Sequence, residues 1–290
     1  MKVLITGGSS LLGKSLIETG SGHTIHSTWY TNYPNHPSYQ MDICDQSQVR
    51  YVFSQAKPDV VIHCAANGNV DFAEENYREA YRTNVDGTAN ILRAASDCRA
   101  RVVYISTNAV YNGDNPPYAE TGPFNPVNAY GKIKRQAELR VEDYPRGWLI
   151  IRPFLLYGWH YPGGRTNWAV IIKNKLQQNQ PLKLVDDTIW QPTYAPDCAS
   201  AIWKILEHKH RVDEIFNVAT DDKVTLYEFG QQVARTWGLD GSLLGPVLSS
   251  HFETIASRPK DTSYDLGRLH GLGTRLLSIE QGLEEMKNSG

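Results

Sequence analysis

No stretch of the 290-residue chain is long, apolar and uncharged enough to form a transmembrane helix. An excess of charge of one sign is also missing. The 29 Lys and Arg nearly balance the 31 Asp and Glu, for a net charge of −2. No broad basic field exists to draw in nucleic acid or an anionic membrane surface, so neither is an expected partner. Only four cysteines occur (Cys44, Cys64, Cys98 and Cys198), with no C-x-x-C among them. A disulfide framework is not expected in a chain of this size. There is no H-E-x-x-H and no Cys/His cluster, so no catalytic metal is expected. No G-x-S-x-G elbow is present. Internal repeats and low-complexity tracts are absent, and His208-Lys209-His210-Arg211 reads as a solvated helix end. The opening Met1-Lys2-Val3-Leu4-Ile5-Thr6-Gly7 enters a strand and a glycine turn directly. With no apolar leader before it, a reducing, cytoplasmic setting is the expectation.

What is present suits a soluble globular protein: 41% hydrophobic and 21% charged residues. Continuous apolar runs at Val3–Thr6, Thr24–Thr28, Val60–Ala65, Val102–Ser106, Leu149–Pro153 and Ile215–Val218 read as strands covered on both faces. Helical periodicity lies between them, over Ser47–Ala56, Asn84–Ser96 and Gly131–Val141. The alternation predicts an α/β fold with a doubly wound parallel sheet. After Arg152-Pro153 the pattern changes to Gly, Pro, aromatic and amide residues, with helices at Trp168–Gln178, Leu226–Trp237 and Ile279–Lys287. Residues 1–155 with 189–221 are therefore expected to form the sheet domain. Residues 156–188 with 222–290 form a smaller, mostly helical C-terminal lobe, with a ligand cleft between the two.

Val3–Thr6 runs into Gly7-Gly8-Ser9-Ser10-Leu11-Leu12-Gly13. Gly7 permits a tight turn, Gly13 permits close packing of helix on strand, and free N–H groups at the helix start suit a pyrophosphate. An ordinary glycine-rich strand-to-helix turn has the same outline. After Thr24–Thr28 there is no acid to take a ribose diol and no Arg to clamp a 2′-phosphate, but Thr31 and Asn32 offer a hydroxyl and an amide. NADP(H) is the preferred expectation, with NAD(H) also usable. Asp42, followed by Ile43, reads either as a turn or cap residue or as a contact to the adenine amino group.

The strand at 102–106 is followed by Thr107-Asn108, and some twenty residues later by Tyr130-Gly131-Lys132-Ile133-Lys134. Tyr130 and Lys134, at i and i+4, share one helical face. A neighbouring ammonium favours phenolate and lowers a tyrosine pKa. With the Thr107 hydroxyl at a strand end, this is apparatus for moving a proton at an alcohol or carbonyl oxygen.

Over its full length the chain resembles the extended short-chain dehydrogenases/reductases, which have a Rossmann-type fold. The matching segments are TGGSSLLG at 6–13, HCAAN at 63–67, TNVDGTANIL at 83–92, VVYISTNAVYNG at 102–113, NAYGKIKRQAE at 128–138 and RPFLLYG at 152–158. WQPTYAPDCASAI at 190–202 and RPKDTSYDLGRL at 258–269 are most similar to the dTDP-4-dehydrorhamnose reductase branch. That resemblance implies NAD(P)H-dependent reduction of a keto group on a nucleotide-linked sugar. Thr107, Tyr130 and Lys134 would be catalytic. Gly7, Ser9, Ser10, Leu11, Leu12, Gly13, Thr31, Asn32, Asp42, Ile43, Cys64, Ala65, Ala66, Pro153 and Phe154 would join Tyr130 and Lys134 in holding the cofactor.

Asn67, Asn108, Trp168, Trp190, Gln191, Thr193 and Arg258 would meet the sugar nucleotide. Arg165 and Arg258 are the candidate diphosphate ligands, and a homodimer is compatible with this reading. The aromatic residues Trp159, Tyr161, Trp168 and Trp190 either face the cleft or pack the lobe's own core. Three departures from the branch stand out: Ser10 for a glycine, Asn108 for an aspartate and Leu155 for a tryptophan. A 4-epimerase uses the same Tyr, Lys and Thr. A regulatory protein similar to the beta subunit of methionine adenosyltransferase is the reading from another class.

Overall fold

The computed structural model describes residues 1–33, 38–208 and 213–290. Its centre is a seven-stranded, wholly parallel sheet. The strands are β1 (Lys2–Thr6), β2 (Thr24–Trp29), β3 (Tyr39–Gln40), β4 (Val60–His63), β5 (Arg101–Ile105), β6 (Trp148–Pro153) and, near the end of the chain, β10 (Glu214–Val218). They lie in the order β3-β2-β1-β4-β5-β6-β10. The order reverses between β1 and β4, and in such a sheet ligands settle at the carboxyl ends of the strands flanking that reversal.

Side chains alternate across the sheet with period two, as the pleat requires. Leu4, Val61, Val102, Tyr104 and Ile150 enter one apolar layer with α2 (Gln46–Ala56), α5 (Gly87–Asp97) and α6 (Ala129–Glu142). Val3, Ile5, Ile62, Val103, Leu149 and Ile151 enter the other, with α1 (Leu11–Thr19) and α8 (Ala195–Glu207). The helix starts are set by polar side chains, Asp45 for α2 and Asn128 for α6, each accepting N–H groups that the first turn cannot pair. His208 follows the end of α8. Lys209, His210 and Arg211, the rest of the expected solvated helix end, lie outside the described residues.

Two local expectations change. The strand at 60–65 ends at His63, because Cys64 and Ala65 turn their N–H groups to the carbonyl and hydroxyl of Thr6. The helix at 84–96 starts with a wide π turn at Arg82–Asp86 before α5. There the Asn84 side chain bonds both the N–H and the carbonyl of Asn67. A buried amide paired in that way fixes the turn around a long-range contact.

Beyond the sheet, β7 (Leu156–Tyr157) pairs with β9 (Thr193–Tyr194), and β8 (Leu182–Val185) with β11 (Leu244–Val247). With α7 (Trp168–Gln177), α9 (Leu226–Trp237) and α11 (Ile279–Asn288) they enclose a separate apolar cluster. Its members include Tyr157, Ile172, Leu184, Phe229 and Leu283. Thr225 with Glu228 and Ser278 with Gln281 form capping boxes that start α9 and α11.

Candidate active site

A cleft of about 410 Å³ opens at the carboxyl ends of β1, β2 and β4. It is lined by Gly7, Ser9, Ser10, Thr31, Asn32, Asp42, Ile43, Cys64, Ala65 and Ala66, all expected from the sequence. Gly7 has φ +70°, and a Cβ there would lie 2.8 Å from the Ala65 nitrogen, so only glycine fits between the two strand ends. Ser10 uses its hydroxyl as the N-cap of α1, accepting the Gly13 N–H at 3.0 Å. The N–H groups of Leu11 and Leu12 fall in the first turn, where no intrahelical acceptor exists. The Leu12 side chain is buried in the sheet core, so only its backbone is available to a ligand. Asp42 lines the cleft and also closes a turn, its Oδ1 accepting the Cys44 N–H at 2.8 Å.

Sequence reasoning missed Thr28, Trp29, Tyr30, Met41, Cys44, Glu79, Arg82, Thr83 and Gly164 on the same walls. Arg82 and Thr83 come from the π turn, whose shape depends on a contact 17 positions away. Gly164 and Arg165 come from a loop across the cleft, tied down by the Asn32 amide donating to the Gly163 carbonyl at 3.2 Å.

Thr107, Tyr130 and Lys134 do not line this cleft but connect to it: the lining residue Arg165 acts on Tyr130, which bonds Thr107, and the lining residue Cys64 acts on Lys134. Thr107, nearly buried in extended backbone after β5, accepts the Ala109 N–H at 3.1 Å and donates to the Asn108 side chain at 3.3 Å. Tyr130 is the second residue of α6. Burial raises its phenol above the ordinary value, against the lowering effects of a hydrogen bond with Thr107 and of the Arg165 charge. Lys134, one turn on, is fully buried, donates to the Ile105 carbonyl at 2.8 Å and lies 4.2 Å from the Tyr104 ring centre. Burial pulls its ammonium down to about 7, opposed by Glu138 and then Cys64. The expected depression of Tyr130 by Lys134 is therefore corrected: desolvation dominates the phenol, and its cationic neighbour is Arg165.

The remaining expected ligands divide. Arg165 reaches the cleft. Asn108 adjoins Thr107 and donates to the Thr262 hydroxyl at 2.8 Å. Asn67 spends its side-chain oxygen on the Asn69 N–H. Pro153 is half-buried, its carbonyl accepting the Tyr264 hydroxyl. Phe154 is buried edge-on against Tyr264 and Trp190, so its ring cannot meet a cofactor.

Gln191 and Thr193 do not reach the cleft as free groups. Gln191 is wholly buried, donating to the Thr220 carbonyl and accepting the Tyr264 N–H, and Thr193 bonds the Gln191 carbonyl and the Thr220 N–H. Trp159 and Trp168 pack against the second apolar cluster, and Trp190 touches both that cluster and the one around Phe154. Tyr161 lies against the Lys14 ammonium. Arg258 is engaged with Asp71 at 2.7 Å. Among the described residues, no group of three His, Cys, Asp or Glu side chains is placed to hold a metal, and no helix is long and apolar enough to cross a membrane.

The chain is 28% identical to a dTDP-4-dehydrorhamnose reductase from Bacillus anthracis solved in complex with NADP, with a TM-score of 0.89 and all of both chains covered. It is 29% identical over 273 residues to a dTDP-4-keto-6-deoxy-D-glucose reductase of Streptomyces niveus, covering 93% of this chain and 91% of that one. It is also 29% identical over 279 residues to methionine adenosyltransferase 2 subunit beta of Bos taurus, covering 94% and 82%. The family model described as the RmlD substrate binding domain matches residues 1–289, and the chain belongs to that family.

Proposed function

We propose that this protein is an oxidoreductase that uses NADPH to reduce the keto group of a dTDP-linked 4-keto-6-deoxy sugar. The observation that carries the reading is the cleft at the sheet's reversal point, whose lining residues Arg165 and Cys64 act on Tyr130 and Lys134, with Tyr130 hydrogen-bonded to Thr107. The residues fit the cofactor. A side chain at Gly7 would fill the cradle against Ala65, and the first-turn N–H groups of α1 and the Arg165 guanidinium suit its phosphates. Gly7, Ser9, Ser10 and the backbone of Leu11 and Leu12 would take the pyrophosphate, and Asp42 and Ile43 the adenine. Thr31 and Asn32 would take the 2′-phosphate. When bound, the cofactor supplies the hydride.

The chain's own residues handle the oxygen. Tyr130, kept protonated by burial, donates its proton to the keto oxygen. Thr107 orients that oxygen and, with the Arg165 charge, favours the phenolate that forms, while the Lys134 ammonium would hold the cofactor's nicotinamide ribose in place. Cytoplasmic placement and a homodimer belong to the same reading, the latter open to sedimentation.

Purified protein should oxidise NADPH in the presence of such a keto sugar, with a modest preference over NADH, since a hydroxyl and an amide hold a phosphate less firmly than a guanidinium does. Tyr130→Phe should lower kcat by about 10²–10⁴-fold and leave the NADPH dissociation constant unchanged. A smaller loss would remove Tyr130 as the proton donor. Similarity to an adenosyltransferase subunit favours a second reading, a regulatory binding protein. Absence of turnover together with tight binding to another enzyme would select it.

A further inference from the structure

Behind the three polar residues at the cleft, α6 carries a fourth on the same stripe. Tyr130, Lys134 and Glu138 follow at intervals of four, so each lies one turn from the next. Glu138 is completely buried and is held by the fully buried Arg152 of β6 through two parallel bonds, Nε to Oε1 and Nη2 to Oε2, each 2.8 Å. Arg135 adds a third bond at 2.9 Å and is itself paired with Glu142. The Nη1 donors of Arg152 go to the Tyr111 hydroxyl and the Glu120 carbonyl. A buried pair of this kind is seldom needed for stability, because apolar side chains of similar volume serve as well or better.

The surroundings of Lys134 give the pair another use. The titratable groups facing it from the neighbouring elements are uncharged near neutral pH. His63 of β4 is neutral, its imidazole pulled down to about 3 by burial and then by Lys134, and the Cys64 thiol is pushed up to about 12 by burial. Tyr104 of β5 and Tyr130 of α6 are held protonated by burial. Glu138 alone among these brings negative charge, and its own carboxyl is kept below the usual range by Arg152.

We infer that Glu138 is a positioning residue: it holds the Lys134 ammonium charged beneath the active site, and Arg152 clamps Glu138 in place. The inference rests on the role given to Lys134 above. Removing the carboxylate leaves an ammonium in desolvated surroundings with no counter-charge, so its proton is lost at lower pH.

Two measurements on Glu138→Gln separate this inference from the reading beneath it. Lysine-selective NMR should show Lys134 titrating lower by about one pH unit or more. The alkaline limb of kcat for keto-sugar reduction should move down by a similar amount. Unmoved titration overturns the inference. Moved titration with an unmoved limb upholds the coupling and refutes the catalytic role of Lys134.

Glu138→Gln also strains the fold by leaving Arg152 underpaired, so two further variants are needed. Glu138→Met with Arg152→Met removes both charges and should restore thermal stability while leaving Lys134 titrating low. Recovery of both together would mean that Glu138 acts only through the fold, overturning the inference. Glu138→Asp keeps the charge and should hold the Lys134 titration closer to that of the parent than Glu138→Gln does, and an equal displacement would count against it.

Discussion

A buried side-chain amide bonded at both ends to backbone works as a staple between segments. Gln191 joins the Thr220 carbonyl at 2.9 Å to the Tyr264 N–H at 2.7 Å, 29 and 73 positions along the chain. Truncating it leaves both backbone groups unpaired, at about 1–3 kcal/mol for each buried group. Gln191→Ala should therefore lower Tm in a thermal melt and leave the keto-sugar KM of the surviving native protein unchanged. A raised KM at unchanged Tm would return Gln191 to the substrate site. His63 makes a second prediction. It is buried between the hydroxyls of Thr6 and Thr88 and stays neutral until about pH 3. The unfolded chain takes up that proton below about 6.5, so stability is lost as pH falls through this window. Urea titrations of His63→Gln across the same range should show a shallower acid slope. At this scale the sequence was legible wherever spacing is local. Tyr130 and Lys134 are read from an i, i+4 interval, whereas the fate of Gln191 depends on partners that only the folded chain brings near.

The strands β1, β4, β5 and β6 were readable as elements because both faces are covered and each is a nearly continuous apolar run. The π turn at Arg82–Asp86 was not, since nothing in its own residues announces the Asn67–Asn84 bonds around which it is built. Helix α6 illustrates how an element sets the site. Its N-terminal turn lies so close to the Thr107–Val110 segment that a Cβ at Gly131 would come within 2.1 Å of the Ala109 carbonyl oxygen and 2.8 Å of the Pro126 Cβ. Gly131→Ala must shift the start of α6, and with it Tyr130, relative to Thr107. Reduction should lose kcat steeply, because small misplacements of a proton donor are costly. The NADPH dissociation constant, set mainly on the β1 side, should change less. Parallel steady-state kinetics and cofactor titration check this.

Across the whole molecule, the sheet and the second apolar cluster are assembled in different ways. The sheet layer under α2, α5 and α6 draws all its buried members from Leu4 to Ile150, and its neighbouring strands pair in register. The second cluster needs three separate stretches, one around Tyr157 to Leu184, one around Leu226 to Leu244 and one from Ile279 to Met286. The Tyr157 hydroxyl bonds the Ile279 carbonyl across 122 positions. Contacts of such separation carry the larger loop-closure cost and form late. During refolding the cleft at the ends of β1 and β4 should therefore begin to form before the second cluster is built. Pulsed hydrogen exchange should find the amides of β1, β4 and β5 protected ahead of those in α9 and α11. A half-folded chain of this kind can already be captured by its cofactor, so NADPH added during refolding should speed the recovery of native protein, and the keto sugar alone should not.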